Sequence, residues 1–149
     1  MVDADRALFV AGIEAAVVDV YRLVMEQGSL PADLADTVLV LAQHHDEHCV
    51  ALAAVGQTAR SAIARNETLY AELNQTMLGP DPVSTILAVE HALAATHLAS
   101  LGVLKSTDAA AAVASILPVE ARHAVVLDPT ALPPVQTIDG AYGEAAYPS

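Results

Sequence analysis

Acids and histidines able to bind a metal ion lie within apolar stretches of this sequence. Glu120 and His123 form a Glu-x-x-His pair, and His45 and His48 form a His-x-x-His pair earlier in the chain. Residues three apart lie on the same face of an α-helix, so each pair presents two ligands in one direction. Burying such groups without partners costs several kcal/mol each. A metal ion held between helices would satisfy them, and a metal site is therefore the leading hypothesis.

Four apolar runs carry these residues, and each has the three-and-four spacing of a packed helix. The runs extend from about Asp3 to Gln27, from Ser29 to Val55, from Pro82 to Leu104, and from Thr107 to Leu127. Glu14 lies on the inward stripe of the first run, and Glu90 lies on that of the third. This spacing is typical of the seams of helix bundles. A cap-like Ser29, followed by Pro31, is expected to start the second run.

The links between the runs predict how the helices connect. The first and last links are short, which favours two antiparallel hairpins, whereas residues 57–80 form a long, more polar link. A short helix is expected within that link, at about residues 66–73. The prediction is an all-α four-helix bundle with one long crossover between its second and third helices. Pro118 lies inside the fourth run and is expected to kink or restart that helix.

Composition limits the classes of function. The chain has 149 residues, 54% of them apolar and 3% aromatic, which favours a single domain of packed helices. We assign residues 1–127 to the bundle and residues 128–149, which contain Pro and Gly, to a C-terminal arm. A formal net charge of −12 argues against nucleic acid and anionic membranes as partners. No basic leader or uninterrupted apolar span is visible, so a cytoplasmic location is expected.

The six metal-ligand candidates follow the helix order of a known kind of site. Carboxylate-bridged di-iron and di-manganese bundles use one Glu from each of two helices and a Glu-x-x-His from each of the other two. The corresponding residues here are Glu14, His45, His48, Glu90, Glu120 and His123. Five of the six match in residue type, and His45 stands where a Glu is expected.

At these residues the chain resembles the ferritin-like superfamily. The fourth run reads Val119-Glu120-Ala121-Arg122-His123, similar to the E-A-R-H pattern of bacterial ferritin-like domain proteins. The resemblance covers roughly residues 3–127. It implies a ferritin-like bundle, a bacterial source and a di-iron centre with redox or oxygen chemistry, with manganese or zinc as alternatives.

His45 changes the charge and chemistry expected of the centre. Three carboxylates and three neutral histidines around two divalent ions leave a charge of about +1, compared with about zero for the usual set. A more nitrogen-rich site suits zinc or copper better than an oxygen-rich one does. One ion, two ions and a mixed pair all remain compatible with the sequence.

Less specific interpretations remain for every candidate residue. The six could form a buried polar network without metal, in a structural bundle that forms homodimers through its Ala and Val surfaces. His44 and Glu47 fit a solvated helix face, although a slight rotation would bring one of them into the site. Tyr21 and His97 either orient Glu14 and Glu90 by hydrogen bonds or are ordinary packing residues.

Overall fold

The computed structural model describes residues 2–128 and residue 130, so nearly all of the predicted C-terminal arm lies outside the described residues. Five α-helices are present in this part of the chain, and it contains no strand. They are α1 (Asp3–Glu26), α2 (Ala32–Val55), α3 (Glu67–Met77), α4 (Pro82–Leu101) and α5 (Thr107–Leu127). The predicted all-α class is confirmed.

The four long helices form the bundle. α1 packs along α2, and α4 packs along α5, while α2 also contacts α5. The two closely packed pairs are those joined by short links, as expected for two helical hairpins. Along α1 and α2, the predicted ligands lie where one apolar cluster gives way to another.

The helix ends follow local capping chemistry. Asp81 accepts a hydrogen bond from the Ser84 backbone N–H at 3.0 Å and begins α4 with Pro82 in its first turn. α4 ends at Leu101, three residues before the predicted Leu104, because Gly102 takes the C-cap position. Ser106 caps α5 by accepting a hydrogen bond from the Ala109 N–H.

One expectation about a helix boundary was wrong, and another was wrong in part. Ser29 does not cap α2: its hydroxyl donates to the Val24 carbonyl at the end of α1, and Pro31 occupies the N-cap position of α2. Pro118 does not restart the last helix, since α5 continues through it, and a kink at this residue stays a prediction. Proline still removes one backbone donor from the helix at this point.

The crossover is part of the packed structure. α3 is longer than the predicted helix, and it buries Leu69, Leu73 and Met77 in the core. Its preceding segment lies close to α1, because the Asn66 N–H donates to the Gly12 carbonyl at 2.8 Å. A Cβ atom on Gly12 would lie 3.0 Å from the Ala64 carbonyl oxygen, so glycine permits this approach.

α5 is the one helix in the described part of the chain that is long and apolar enough to cross a membrane. That criterion concerns length and composition only, and a core helix of a soluble protein also meets it. One face of α5 carries the buried Glu120 and His123. Its opposite face exposes an uncharged stripe, Ala114, Pro118, Ala121 and Val125.

Candidate metal centre

All six predicted ligands lie together in the middle of the bundle. Four of them are completely buried, while His123 is 3% and His48 is 7% exposed. One comes from α1, two from α2, one from α4 and two from α5. Their ligand atoms form two overlapping groups, and within each group all atoms lie within 4.8 Å of one another.

The first group, here called half-site 1, contains Glu14, His45, His48 and Glu120. His45 Nδ1 lies 2.8 Å from Glu14 Oε2. His48 Nδ1 lies 2.6 Å from Glu120 Oε1 and 3.8 Å from Glu14 Oε2. Two imidazole nitrogens and two carboxylate oxygens therefore converge from three helices.

The second group, half-site 2, contains His45, Glu90, Glu120 and His123. His123 Nδ1 lies 3.0 Å from Glu90 Oε2 and 3.6 Å from Glu120 Oε2. His45 Nε2 lies 3.2 Å from Glu90 Oε1. His45 and Glu120 belong to both groups, so His45 occupies a shared position between the half-sites.

Glu14 on α1 accepts a hydrogen bond from a residue of α4, and Glu90 on α4 accepts one from a residue of α1. The Tyr21 hydroxyl on α1 donates to Glu90 Oε1 at 2.6 Å, and His97 Nε2 on α4 donates to Glu14 Oε1 at 2.7 Å. Burial and then the charge of Glu90 raise the pKa of Tyr21, so the phenol stays protonated and remains a donor. These bonds favour the orienting role over ordinary packing for both residues.

Several buried ligand atoms have no hydrogen bond within the described residues. They are His48 Nδ1 and both carboxylate oxygens of Glu120. Although His48 Nδ1 and Glu120 Oε1 are 2.6 Å apart, their alignment does not make a hydrogen bond. Carboxylate oxygens and imidazole nitrogens suit first-row divalent ions, so this donor set fits a metal.

In the metal-free cluster, the carboxylates stabilise protonated histidines, and the histidines stabilise ionised carboxylates. Burial lowers the pKa of His48, but Glu120 and Glu14 outweigh it and raise that pKa to about 9. The pKa values of His45 and His123 also rise against burial, because both face Glu120 and Glu90. In return, the histidines lower the pKa of Glu90 and of Glu14, although burial opposes this shift.

His44 lies closer to the cluster of predicted ligands than a residue on a solvated helix face would. It is half-buried, and its Nδ1 is 2.9 Å from His123 Nε2 with the two rings stacked. Its spacing of four from His48 was the available sequence signal. Of the other neighbours, Glu47 is exposed and Asp46 pairs with Arg60 at 3.0 Å, so neither joins the cluster.

A groove of about 510 Å³ separates α2 and α5 beside this histidine pair. We call it the α2–α5 groove. His44 and His123 line it together with Thr37, Val40, Leu41, Val119, Arg122 and Val126. Among the six predicted ligands, His123 is therefore the one that borders this groove.

Comparison with known families agrees with this fold. The ferritin-like domain family matches residues 4–132, which is most of the chain. The chain therefore belongs to the ferritin-like domain family, as the sequence resemblance predicted. No curated protein and no solved structure matched the chain.

Proposed function

We propose that this ferritin-like protein binds one or two divalent first-row metal ions through the six clustered residues. The supporting observation is a set of buried potential metal-ligand atoms without hydrogen bonds, namely His48 Nδ1 and the two oxygens of Glu120. A buried polar atom without a hydrogen bond costs about 1–3 kcal/mol, and the 2.6 Å ion pair between His48 Nδ1 and Glu120 Oε1 offsets part of this cost. Metal held by the residues of the two half-sites would give all three atoms a partner.

Iron is the expected metal, and manganese or zinc are the alternatives. Bound iron or manganese would supply redox or oxygen chemistry, as in other carboxylate bundles. The chain's own contribution is to hold and shield the centre. Tyr21 and His97 fix the carboxylates of Glu90 and Glu14, and the apolar clusters on either side limit access of water.

A structural bundle whose cluster holds protons in place of metal is the second candidate. The observation that favours it is the balance of charge in the cluster. Three histidines with raised pKa values face three carboxyl groups. Such a network compensates buried charge by ion pairing alone.

Metal content separates the two candidates. We expect at least one ion per chain when wild-type protein, purified without chelators, is saturated with Fe²⁺ anaerobically, or with Mn²⁺ or Zn²⁺, at neutral pH. The double variant Glu120→Ala with His123→Ala should lose the ion of half-site 2 and bind far more weakly in half-site 1, because it removes two ligands of half-site 2 and one ligand of half-site 1. The control Asp46→Ala should bind as the wild type does, since Asp46 pairs with Arg60 outside the cluster. Wild-type protein that stays metal-free would leave the structural bundle as the function.

The proposed setting of the protein is a homodimer in the cytoplasm. The exposed stripe on α5 includes Val125, which is 58% exposed. A second copy of the chain packed on this stripe would cover its apolar surface. The net charge of −12 disfavours nucleic acid as a partner.

A further inference from the structure

We infer that His45 makes the two half-sites unequal: half-site 1 holds four protein ligands and fills first, whereas half-site 2 holds three and keeps one position open to small anions entering from the α2–α5 groove. This inference rests on the proposed metal binding and adds an order of filling and a class of exogenous ligand. It follows from which oxygen of each glutamate is already hydrogen-bonded.

Glu90 has one oxygen engaged and one available. Its Oε1 accepts the 2.6 Å hydrogen bond from Tyr21 and lies 3.2 Å from His45 Nε2. Its Oε2 faces His123 Nδ1 at 3.0 Å. Oε2 and His123 Nδ1 are therefore the pair of atoms directed at an ion in half-site 2.

Glu14 likewise has one oxygen that accepts a hydrogen bond and one that is available. Its Oε1 accepts the 2.7 Å hydrogen bond from His97, which leaves Oε2 available. His45 Nδ1 lies 2.8 Å from that available oxygen and 3.5 Å from Glu120 Oε1. His45 Nδ1 is thus surrounded by the oxygens of half-site 1.

A metal-binding histidine is neutral, with one N–H and one lone pair, so it serves one half-site directly. If His45 Nε2 carries the hydrogen, it donates to Glu90 Oε1, which already accepts a hydrogen bond from Tyr21. The lone pair then lies on Nδ1, in half-site 1. The opposite tautomer would direct its hydrogen at Glu14 Oε2, the oxygen that half-site 1 needs. The hydrogen bonds therefore assign His45 to half-site 1.

The ligand counts follow from this assignment. Half-site 1 has His45, His48, Glu14 and one oxygen of Glu120, which is the closed four-ligand set typical of tightly held ions. Half-site 2 has Glu90, His123 and the other oxygen of Glu120. Three protein ligands leave a position for an exogenous molecule.

Half-site 2 is the half-site that borders the groove. His123 is its ligand that lines the groove, with Nε2 2.9 Å from His44 and Nδ1 facing Glu90, and no residue unique to half-site 1 lines the groove. Arg122, the neighbour of His123 on α5, also lines the groove and supplies a positive charge. A small anion is the ligand that both an open metal position and a guanidinium would attract.

A Co²⁺ titration followed by visible absorption tests this order, with azide as the anionic probe. We expect two separate binding steps in the wild type, and azide should change the spectrum of the second step only. His48→Gln should weaken the first step more than about tenfold, whereas His123→Gln should change it by less than about threefold. Glu47→Gln, at an exposed position beside His48, is the matched control and should leave both steps unchanged.

His45→Glu supplies a second, independent test, because it restores a carboxylate at the shared position. The two steps should then merge or come within about tenfold of each other. Retained helicity in circular dichroism verifies that each variant is folded. Two equal steps in the wild type, a first step lost in His123→Gln, or azide acting on the first step would overturn the inference while leaving metal binding intact. Absence of any Co²⁺ binding would instead overturn the proposed function itself.

Discussion

Tyr21 on α1 donates a 2.6 Å hydrogen bond to Glu90 on α4, and His97 on α4 donates a 2.7 Å hydrogen bond to Glu14 on α1. Each donor lies seven residues after the glutamate of its own helix, yet it holds the glutamate of the opposite helix. The two helices that carry single glutamates are thereby tied together through the site. Metal affinity and bundle stability should therefore depend on the same two bonds.

Removing one of these bonds should weaken metal binding without unfolding the bundle. Tyr21→Phe keeps the ring packed in the core but takes away the donor to Glu90. We expect a loss of about 10- to 100-fold in affinity at half-site 2, measured by competition with a coloured chelator. The metal-free protein should lose about 1.5–3 kcal/mol of unfolding free energy, measured in urea. Unchanged affinity would show that the phenol does not orient Glu90.

The metal-free protein should be less stable at pH 9 than at pH 6. The pKa of His48 is raised from 6.5 to about 9, so its contribution is complete below pH 6.5 and is lost as pH rises through 9. The pKa of Glu90 is lowered from 4.5, so its contribution is present above that value and is lost in acid. Urea unfolding measured from about pH 3 to about pH 10 checks both signs, and His48→Gln should flatten the alkaline fall.

Metal affinity should increase with pH, whereas the stability of the metal-free protein should fall at alkaline pH. The ions need ionised glutamates and neutral histidines, so binding displaces protons from the raised histidines. We expect affinity to increase from pH 6 to pH 8 and protons to be released on binding, measured by calorimetry in buffers of different ionisation enthalpy. Affinity that is constant over this range would contradict the protonated state of the metal-free cluster.

The approach of the crossover to α1 should make Gly12 difficult to replace. Alanine gains about 1 kcal/mol of helix propensity over glycine, but its Cβ would lie 3.0 Å from the Ala64 backbone oxygen. The Asn66–Gly12 hydrogen bond, two residues beyond Ala64, holds this segment against α1, so the Ala64 oxygen cannot move away cheaply. We expect Gly12→Ala to lower stability by about 1–3 kcal/mol, measured by thermal unfolding. A rise in the melting temperature would mean that the crossover is free to shift.

The outer stripe of α5 should mediate self-association. Val125→Asp places a charge on this apolar face and should shift the protein toward monomer in light scattering after size-exclusion chromatography. Leu78→Asp, at an apolar residue that is 51% exposed beyond the end of α3, is the matched control and should have no effect. A wild type that is monomeric at every concentration would remove the homodimer from the account.

The sequence was sufficient for the helices and for the residues of the cluster, because both depend on regular spacing. Glu14, Glu90 and the His45–His48 and Glu120–His123 pairs all occupy seam positions, and a seam points into the core. The ends of the helices were less predictable. Ser29 is a residue type that often caps helices, but its hydroxyl donates a hydrogen bond to the Val24 carbonyl of the preceding helix.

Relationships between helices could not be predicted from periodicity. The pairing of Tyr21 with Glu90, instead of a contact within α1, depends on the relative offset of α1 and α4. The contact of His44 with His123 depends in the same way on how closely α2 approaches α5. The direction of each His45 nitrogen is also set by three surrounding helices, so the difference between the half-sites emerges only in three dimensions.

The most direct test of the account is the location of bound metal. A crystal grown with Mn²⁺ or Zn²⁺ and measured at the metal's absorption edge gives an anomalous difference map. We expect a peak within bonding distance of His48 and Glu120, and a second, weaker peak beside His123. A map without a peak in this cluster, from crystals that bind the ion only at surface carboxylates, would contradict the central claim.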